Sequence, residues 1–145
     1  MIRLYQDDDK AELVEIFNLN VPTYFGPKEL EDYREYLTHY ADTYFVITHL
    51  GKIAGGIGYY IDRSKKSGHI TWILVHPNHK GMGLGRQGLE HCLTILIKSQ
   101  EVEKLVVSTS QFAYEFFKHF GYELVETKKD YWAPGLDLYL MERIL

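Results

Sequence analysis

Apolar residues change their spacing several times along the chain, and each change marks a new element. Ile2 to Tyr5 alternates and can open a sheet, after which Asp7-Asp8-Asp9 supplies an N-cap for a helix with Leu13, Val14, Ile16 and Phe17 near one side. Asn18 to Gly26 contains Asn, Pro and Gly and predicts a loop. Pro27 suits the first turn of a second helix, whose acidic start at Glu29, Glu31 and Asp32 agrees with the helix dipole. Tyr33, Tyr36, Leu37 and Tyr40 recur at helical spacing and give it an aromatic stripe.

From Thr43 the period becomes strand-like. Tyr44 to Thr48, a turn around Gly51-Lys52 and a second run from Ile53 to Ile61 predict an antiparallel hairpin. Arg63 to Gly68 is polar and turns the chain into a third strand, His69 to Val75. Leu89, Cys92, Leu93 and Leu96 then trace one helix face, and Leu105-Val106-Val107 reads as a buried strand lying parallel to the one before the helix. Gln111 to Phe120 predicts a short helix with Phe112, Phe116, Phe117 and Phe120 inward and Gly121 as its left-handed terminator. Tyr122 to Thr127 is a strand and Trp132 to Gly135 a loop. Leu136 to Ile144 closes the chain as a strand with Leu136, Leu138, Leu140 and Ile144 on one face. The order β-α-α-β-β-β-α-β-α-β-β describes an α/β fold with a mixed, mostly antiparallel sheet flanked by helices.

Length and charge narrow the function. At 145 residues, 46% of them apolar or aromatic, the chain suits one domain over 1–145 with one core. A net charge of −4 gives no overall basic field, so nucleic acid is not an expected partner. No apolar run approaches the ~20 residues of a membrane helix, the N-terminus has no signal-peptide pattern, and the one cysteine, Cys92, has no partner for a disulfide. The expectation is a cytoplasmic protein acting on small molecules, with no membrane contact; a homodimer is compatible with the sequence.

The chemistry is concentrated in Val75-His76-Pro77-Asn78-His79-Lys80-Gly81-Met82-Gly83-Leu84-Gly85-Arg86. Glycines at alternate positions let backbone N–H groups converge on a ligand, and the helix that follows adds the positive end of its dipole. Two cations flank the turn. Such a segment suits a pyrophosphate. A Walker loop would need Lys-Ser/Thr after its last glycine, which is absent. Gly83-Leu84-Gly85-Arg86-Gln87-Gly88 spells the dinucleotide fingerprint, yet His76 to Lys80 separate it from its strand, and too little chain follows for a doubly wound sheet.

Val75-x-Pro77 with Lys80-Gly81-Met82-Gly83-Leu84-Gly85, followed about thirty residues later by Ala113-x-x-Phe116-Phe117-x-x-x-Gly121-Tyr122, resembles the GCN5-related N-acetyltransferase (GNAT) superfamily. The element order is similar over essentially the whole chain. The resemblance implies acetyl-CoA as co-substrate, its pyrophosphate held by Lys80, Gly81, Met82, Gly83, Leu84, Gly85 and Arg86. The pantetheine would lie between the strand ending at Val75 and the strand at Leu105, paired with backbone groups of Leu74 and Val75, with Ser110 and Phe117 against it. The acceptor would approach over Asn18 to Gly26; Tyr24, Phe25 and Trp72 are its candidate contacts, Trp72 reading either as packing or as site. The chain departs from the family pattern at three places: Lys80 stands where Gln or Arg is usual, Ser110 where Asn is common, and Phe117 where many members carry a Tyr that protonates the leaving thiolate. Phe cannot donate a proton, so either Tyr114, one helical turn earlier, or water takes that part, or the chain does no catalysis.

Acetyl transfer to an amine also needs a base. His69, six residues before Val75, stands where the resembled histone-acetyltransferase branch carries a catalytic Glu, and a neutral imidazole can serve there; the other reading is a strand residue beside a turn. His76, His79 and His91 lack metal-ligand spacing and a Cys or carboxylate cluster, so no metal is expected. Cys92 belongs to an apolar stripe and reads as a packed thiol. Glu29, Asp32 and Glu35 follow Tyr24 and Phe25 closely, as an acidic and aromatic wall for a cationic amine or as a solvated helix start. Trp132 reads as either packing or site. The expected function is transfer of the acetyl group of acetyl-CoA directly to a primary amine of a small molecule or peptide. A non-catalytic acyl-CoA-binding module and a nucleotide-cofactor oxidoreductase are the alternatives.

Overall fold

The computed structural model describes residues 1–145. β1 (Ile2–Leu4), α1 (Lys10–Leu19), α2 (Glu29–His39), β2 (Tyr44–His49), β3 (Lys52–Asp62), β4 (Ser67–Val75), α3 (Leu84–Lys98), β5 (Lys104–Thr109), α4 (Tyr114–Lys118), β6 (Glu123–Ala133) and β7 (Leu136–Ile144) follow in the expected order. They form one seven-stranded sheet, β1-β2-β3-β4-β5-β7-β6. Every neighbouring pair is antiparallel except β4 and β5, which flank α3 and run parallel.

The central strands of the sheet are buried on both faces. Successive residues of β2 point to opposite sides, so Phe45 and Ile47 join one apolar cluster with Leu89, Leu93 and Leu96 of α3, while Tyr44 and Val46 join another with Phe17 of α1 and Leu37 of α2. The expected single core is therefore two, one on each face. In β4, Ile70 belongs to the α3 cluster and Leu74 to the α1/α2 cluster. Residues four apart share a face of a regular strand, so the strand must gain a residue between them. The register against β3 shifts there, and Trp72 takes a left-handed φ of 45°.

Several sequence expectations shift at element ends. The Asp9 carboxylate does not cap α1; its oxygens accept two bonds from the Arg3 guanidinium at 2.8 Å, and one of them also accepts the Gln6 N–H. Tyr40 lies one residue past α2 and is exposed, so the aromatic stripe ends earlier. Phe112 precedes α4 and is exposed; Phe117 is the fully buried member of that group. Ile144 sits beyond the last β6–β7 pair, with nothing over it. Leu140 is only partly buried, whereas Met141 on the opposite face is fully buried. β6 continues past Thr127 to Ala133 through an irregular stretch from Lys128, where Asp130 Oδ1 accepts the Gly135 N–H at 2.7 Å and Asp137 Oδ1 accepts the Asp130 N–H at 2.9 Å. Trp132 and Ala133 are thus strand residues rather than loop. No helix is long and apolar enough to cross a membrane.

Candidate active site

β4 and β5 keep register from Ser67↔Lys104 to Ile70↔Val107 and then part. The Thr71–Val75 segment loses the ladder partners that β5 would have supplied, and a cavity of about 600 Å³ opens beside it. That volume lies within the ~300–1,000 Å³ range of small-molecule sites. Thr71 to Val75 form one wall, Val107 to Ser110 the other, and the glycine turn lies at one end.

The turn has the geometry that its glycines predict. Gly81 and Gly83 have φ of 84° and 77°, and a Cβ at either would meet no atom within 4 Å, so the space beside the main chain is free. Gly83 is also the N-cap of α3, which brings the free N–H groups of the first helical turn to the cavity. Gly85 is different: it lies within the helix, and a Cβ there would make ordinary contact with Val75 and Phe116. Gly88, the last glycine of the dinucleotide-like spelling, faces Ile47 and Ile57 of the sheet and permits close packing of α3, not ligand approach. The two cations are already engaged. Lys80 Nζ sits 3.5 Å from the centre of the Tyr24 ring, tying this turn to the α1–α2 connection, and Arg86 Nε bonds Glu90 Oε1 at 2.9 Å across one turn of α3.

Trp72 holds its unusual backbone through a tyrosine chain. Tyr44, wholly buried, donates from its hydroxyl to the Trp72 carbonyl at 2.8 Å and lies 2.8 Å from the Tyr33 hydroxyl. Desolvation pushes both phenols up, so neither ionises near neutrality. Asn20, also buried, donates from Nδ2 to the Val75 carbonyl at 3.1 Å and to the Ile16 carbonyl at 2.9 Å, which fixes the end of α1 against the end of β4.

Away from the glycines the cavity is aromatic. Phe25 stacks near Trp72 with ring centres 6.1 Å apart, and Trp132 is fixed by its indole N–H bond to the Thr109 carbonyl at 3.0 Å. Gly26 lies hard against Trp132 and Ala133: a Cβ there would come within 2.8 Å of the Trp132 carbonyl oxygen. The α1–α2 connection and β6 therefore touch. Glu29 faces this region with Oε2 accepting the Gly26 N–H at 2.7 Å, and burial raises its carboxyl above the usual range. Asp32 and Glu35, grouped with it in sequence, point to solvent.

His69 lies on the cavity, one residue before the last β4–β5 pair. Its ring stacks on Tyr60 at 4.4 Å, and Nε2 lies 2.8 Å from the hydroxyl of buried Ser67. Burial lowers its pKa below the ordinary histidine value, keeping the imidazole neutral at physiological pH. Leu74, Val75, Lys80, Gly81, Gly83, Leu84, Gly85, Arg86, Ser110, Phe117, Tyr24, Phe25 and Trp72 all line the cavity with it. Two residues singled out from the sequence do not. Met82 is exposed, and Tyr114 turns its ring to Tyr139, with centres 5.6 Å apart. The Ser110 hydroxyl oxygen accepts the Phe112 N–H at 3.3 Å. Cys92 is sealed in the α3 core, where burial pushes its thiol up to about 12. His76 Nδ1 accepts the Asn78 N–H at 3.1 Å, and so closes the 3-10 turn Pro77–His79.

Asn20, Tyr44, Tyr60 and Ser108 escaped the sequence reading. Each is an ordinary strand or loop residue whose role depends on what lies across the sheet. Only Asn20 carried a signal, as a polar residue directly after α1.

Comparison with known proteins agrees with this arrangement. The family model described as "Acetyltransferase (GNAT) family" matches residues 12–122. No curated protein sequence matches the chain. Among solved structures, ribosomal-protein-alanine N-acetyltransferase from Brucella melitensis superposes with a TM-score of 0.79 at 21% identity, covering 100% of this chain and 99% of its own. Ard1 from Thermoplasma volcanium gives 0.80 at 18%, covering 100% and 97%. The Salmonella typhimurium protein yncA, solved with its cofactor acetyl-CoA, gives 0.77 at 17%, covering 100% and 93%. At these identities the likeness is one of fold.

Proposed function

The chain belongs to the GNAT acetyltransferase family, whose members use acetyl-CoA, and from that premise we propose that it transfers the acetyl group directly to a primary amine of a small molecule or peptide. The observation that carries this reading is the parting of β4 from β5 beside the open Gly81–Gly83 turn. A cleft with unpaired strand edge on one side and free helix N–H groups at its end fits a ligand that combines amides with a pyrophosphate.

In this reading the N–H groups from Gly81 to Arg86 bind the pyrophosphate. Lys80 exchanges its Tyr24 contact for a phosphate oxygen. Leu74 and Val75 offer main-chain groups to the pantetheine amides, and Leu84, Ser110 and Phe117 bound the channel. Acetyl-CoA supplies the acyl group as a thioester, whose C–S bond breaks as the C–N bond forms. His69, neutral at physiological pH, takes the proton that the acceptor ammonium must lose before it can attack, directly or through water. Tyr24, Phe25 and Trp72 position the acceptor. Phe117 has no proton to give and Tyr114 is not on the cavity lining, so the departing thiolate takes its proton from water. One buried cysteine and no disulfide suit a reducing compartment such as the cytoplasm.

Gly83→Val tests the reading at its base. A β-branched residue at φ 77° projects into the space beside the turn, so the variant should lose acetyl-CoA binding in calorimetry while keeping its circular-dichroism spectrum. An amine-library screen of the wild type with CoA thiol as readout should yield acetylated products. Wild-type affinity in Gly83→Val, together with a silent screen, would overturn the proposal.

A further inference from the structure

The cavity lining carries charges of both signs. Its cationic groups, Lys80 and Arg86, belong to the glycine turn and the start of α3, whereas Glu29 is the one carboxylate on its lining and lies beside Gly26 at the aromatic end. Glu29 has a single protein partner, the Gly26 N–H on Oε2, and Lys80 is occupied by the Tyr24 ring. A half-buried carboxylate with one hydrogen bond and no ion pair keeps free acceptor capacity, which a cation entering the cavity would use. The flanking rings of Phe25, Trp72 and Trp132 add faces that attract an ammonium group and methylenes alike. Because Gly26 touches Trp132, the two walls meet, and a compact molecule is favoured over a folded protein surface.

We propose that the acceptor is a small amine carrying a second positive charge, such as a short α,ω-diamine, with the remote ammonium held by Glu29 while the other nitrogen faces the β4–β5 cleft. This rests on the acetyltransferase reading above and adds the substrate class. The reacting nitrogen must become neutral, whereas the remote one keeps its proton and therefore its attraction to Glu29. A monoamine of equal length lacks that contact. Specificity is thus set by charge at a fixed distance from the reacting nitrogen, with the aromatic rings filling the span between.

The chain's two tryptophans, Trp72 and Trp132, both line the cavity, so intrinsic fluorescence reads its occupancy without any turnover. 1,4-Diaminobutane and n-butylamine titrated into the wild type should differ in affinity by at least about tenfold in favour of the diamine, the usual size of a charge-assisted contact. Glu29→Gln keeps an oxygen for the Gly26 N–H and should bring the ratio to within about threefold of one. Asp32→Asn, which removes an exposed carboxylate from the same helix turn, should leave the ratio as in the wild type. A ratio near one in the wild type, or one that survives Glu29→Gln, overturns the inference. Acetyl-CoA titrated separately reads the glycine end, so failure there strikes the acetyltransferase reading while the amine ratio is judged independently.

Discussion

At the scale of the residue, His69 makes the sharpest demand on the chemistry. Its pKa is lowered first by burial, with Lys65 and Lys104 adding to the depression and Asp62 and Glu142 opposing it. Tyr60 and Ser67 are its uncharged neighbours. A base with that setting should produce an acidic limb in the kcat/KM profile below the ~6.5 of a free histidine, and His69→Ala should remove that limb and lower kcat/KM by ~100- to 10,000-fold. The stability linkage has a definite sign. The unfolded chain protonates this histidine at higher pH than the folded one, so its contribution is present above ~6.5 and is lost as pH falls through the depressed value. A variant that keeps the limb and the rate, yet loses the acid-side dependence of its melting temperature, would make His69 a packing residue. The position was legible from its distance to Val75, but the Tyr60 stack was not, because it arises from the Tyr60↔His69 register across β3 and β4.

At the scale of the element, β4 parts from β5 where it bulges at Trp72. A non-glycine residue at φ 45° carries strain of ~1–3 kcal/mol that surrounding contacts must hold in place. The Tyr33–Tyr44 pair is the holding group, because Tyr44 reaches from β2 across the sheet to the Trp72 carbonyl. Tyr44→Phe removes that donor and leaves the Tyr33 hydroxyl without its partner, at about 1–3 kcal/mol. We expect a melting temperature lower by roughly 2–12 °C, given ~2–4 °C per kcal/mol for a domain near this size, and a fall in kcat larger than any rise in the KM for acetyl-CoA. An unchanged kcat in a destabilised variant would show that the bulge keeps its shape without the tyrosines. The bulge could not be read from the sequence. Ile70 to Val75 is a plain apolar strand until the two cores are known, and only then does the switch of Ile70 and Leu74 to opposite faces reveal the extra residue. The end of β6 was hidden as well, because the Asp130 and Asp137 side chains bridge an irregular stretch whose Pro-Gly signal suggested a loop. The glycine turn was readable because its requirement is local: a left-handed backbone at Gly81 and Gly83 needs no distant partner.

At the scale of the whole molecule, the sheet has a seam. β1 to β4 form one antiparallel set and β5 to β7 another, and four paired positions, Ser67↔Lys104 to Ile70↔Val107, join them before the strands part. Element order and the parallel pair followed from the sequence, since a helix between two apolar runs enforces a crossover. The seam's short length did not, because pattern alone fixes strand type but not where pairing stops. A ligand seated between β4 and β5 would bridge the two sets and contribute to the cohesion of the whole sheet. Saturating acetyl-CoA at 100 times its dissociation constant should therefore stabilise the fold by ~2.7 kcal/mol. It should also slow amide hydrogen exchange on both sides of the cleft, in 71–75 and 107–110 as well as in the glycine turn. Binding that merely caps the α3 N-terminus would stabilise by the same mass action yet protect only the turn. Protection confined to 80–88 would therefore place the ligand outside the seam, and the parting of β4 and β5 would have to be explained without it.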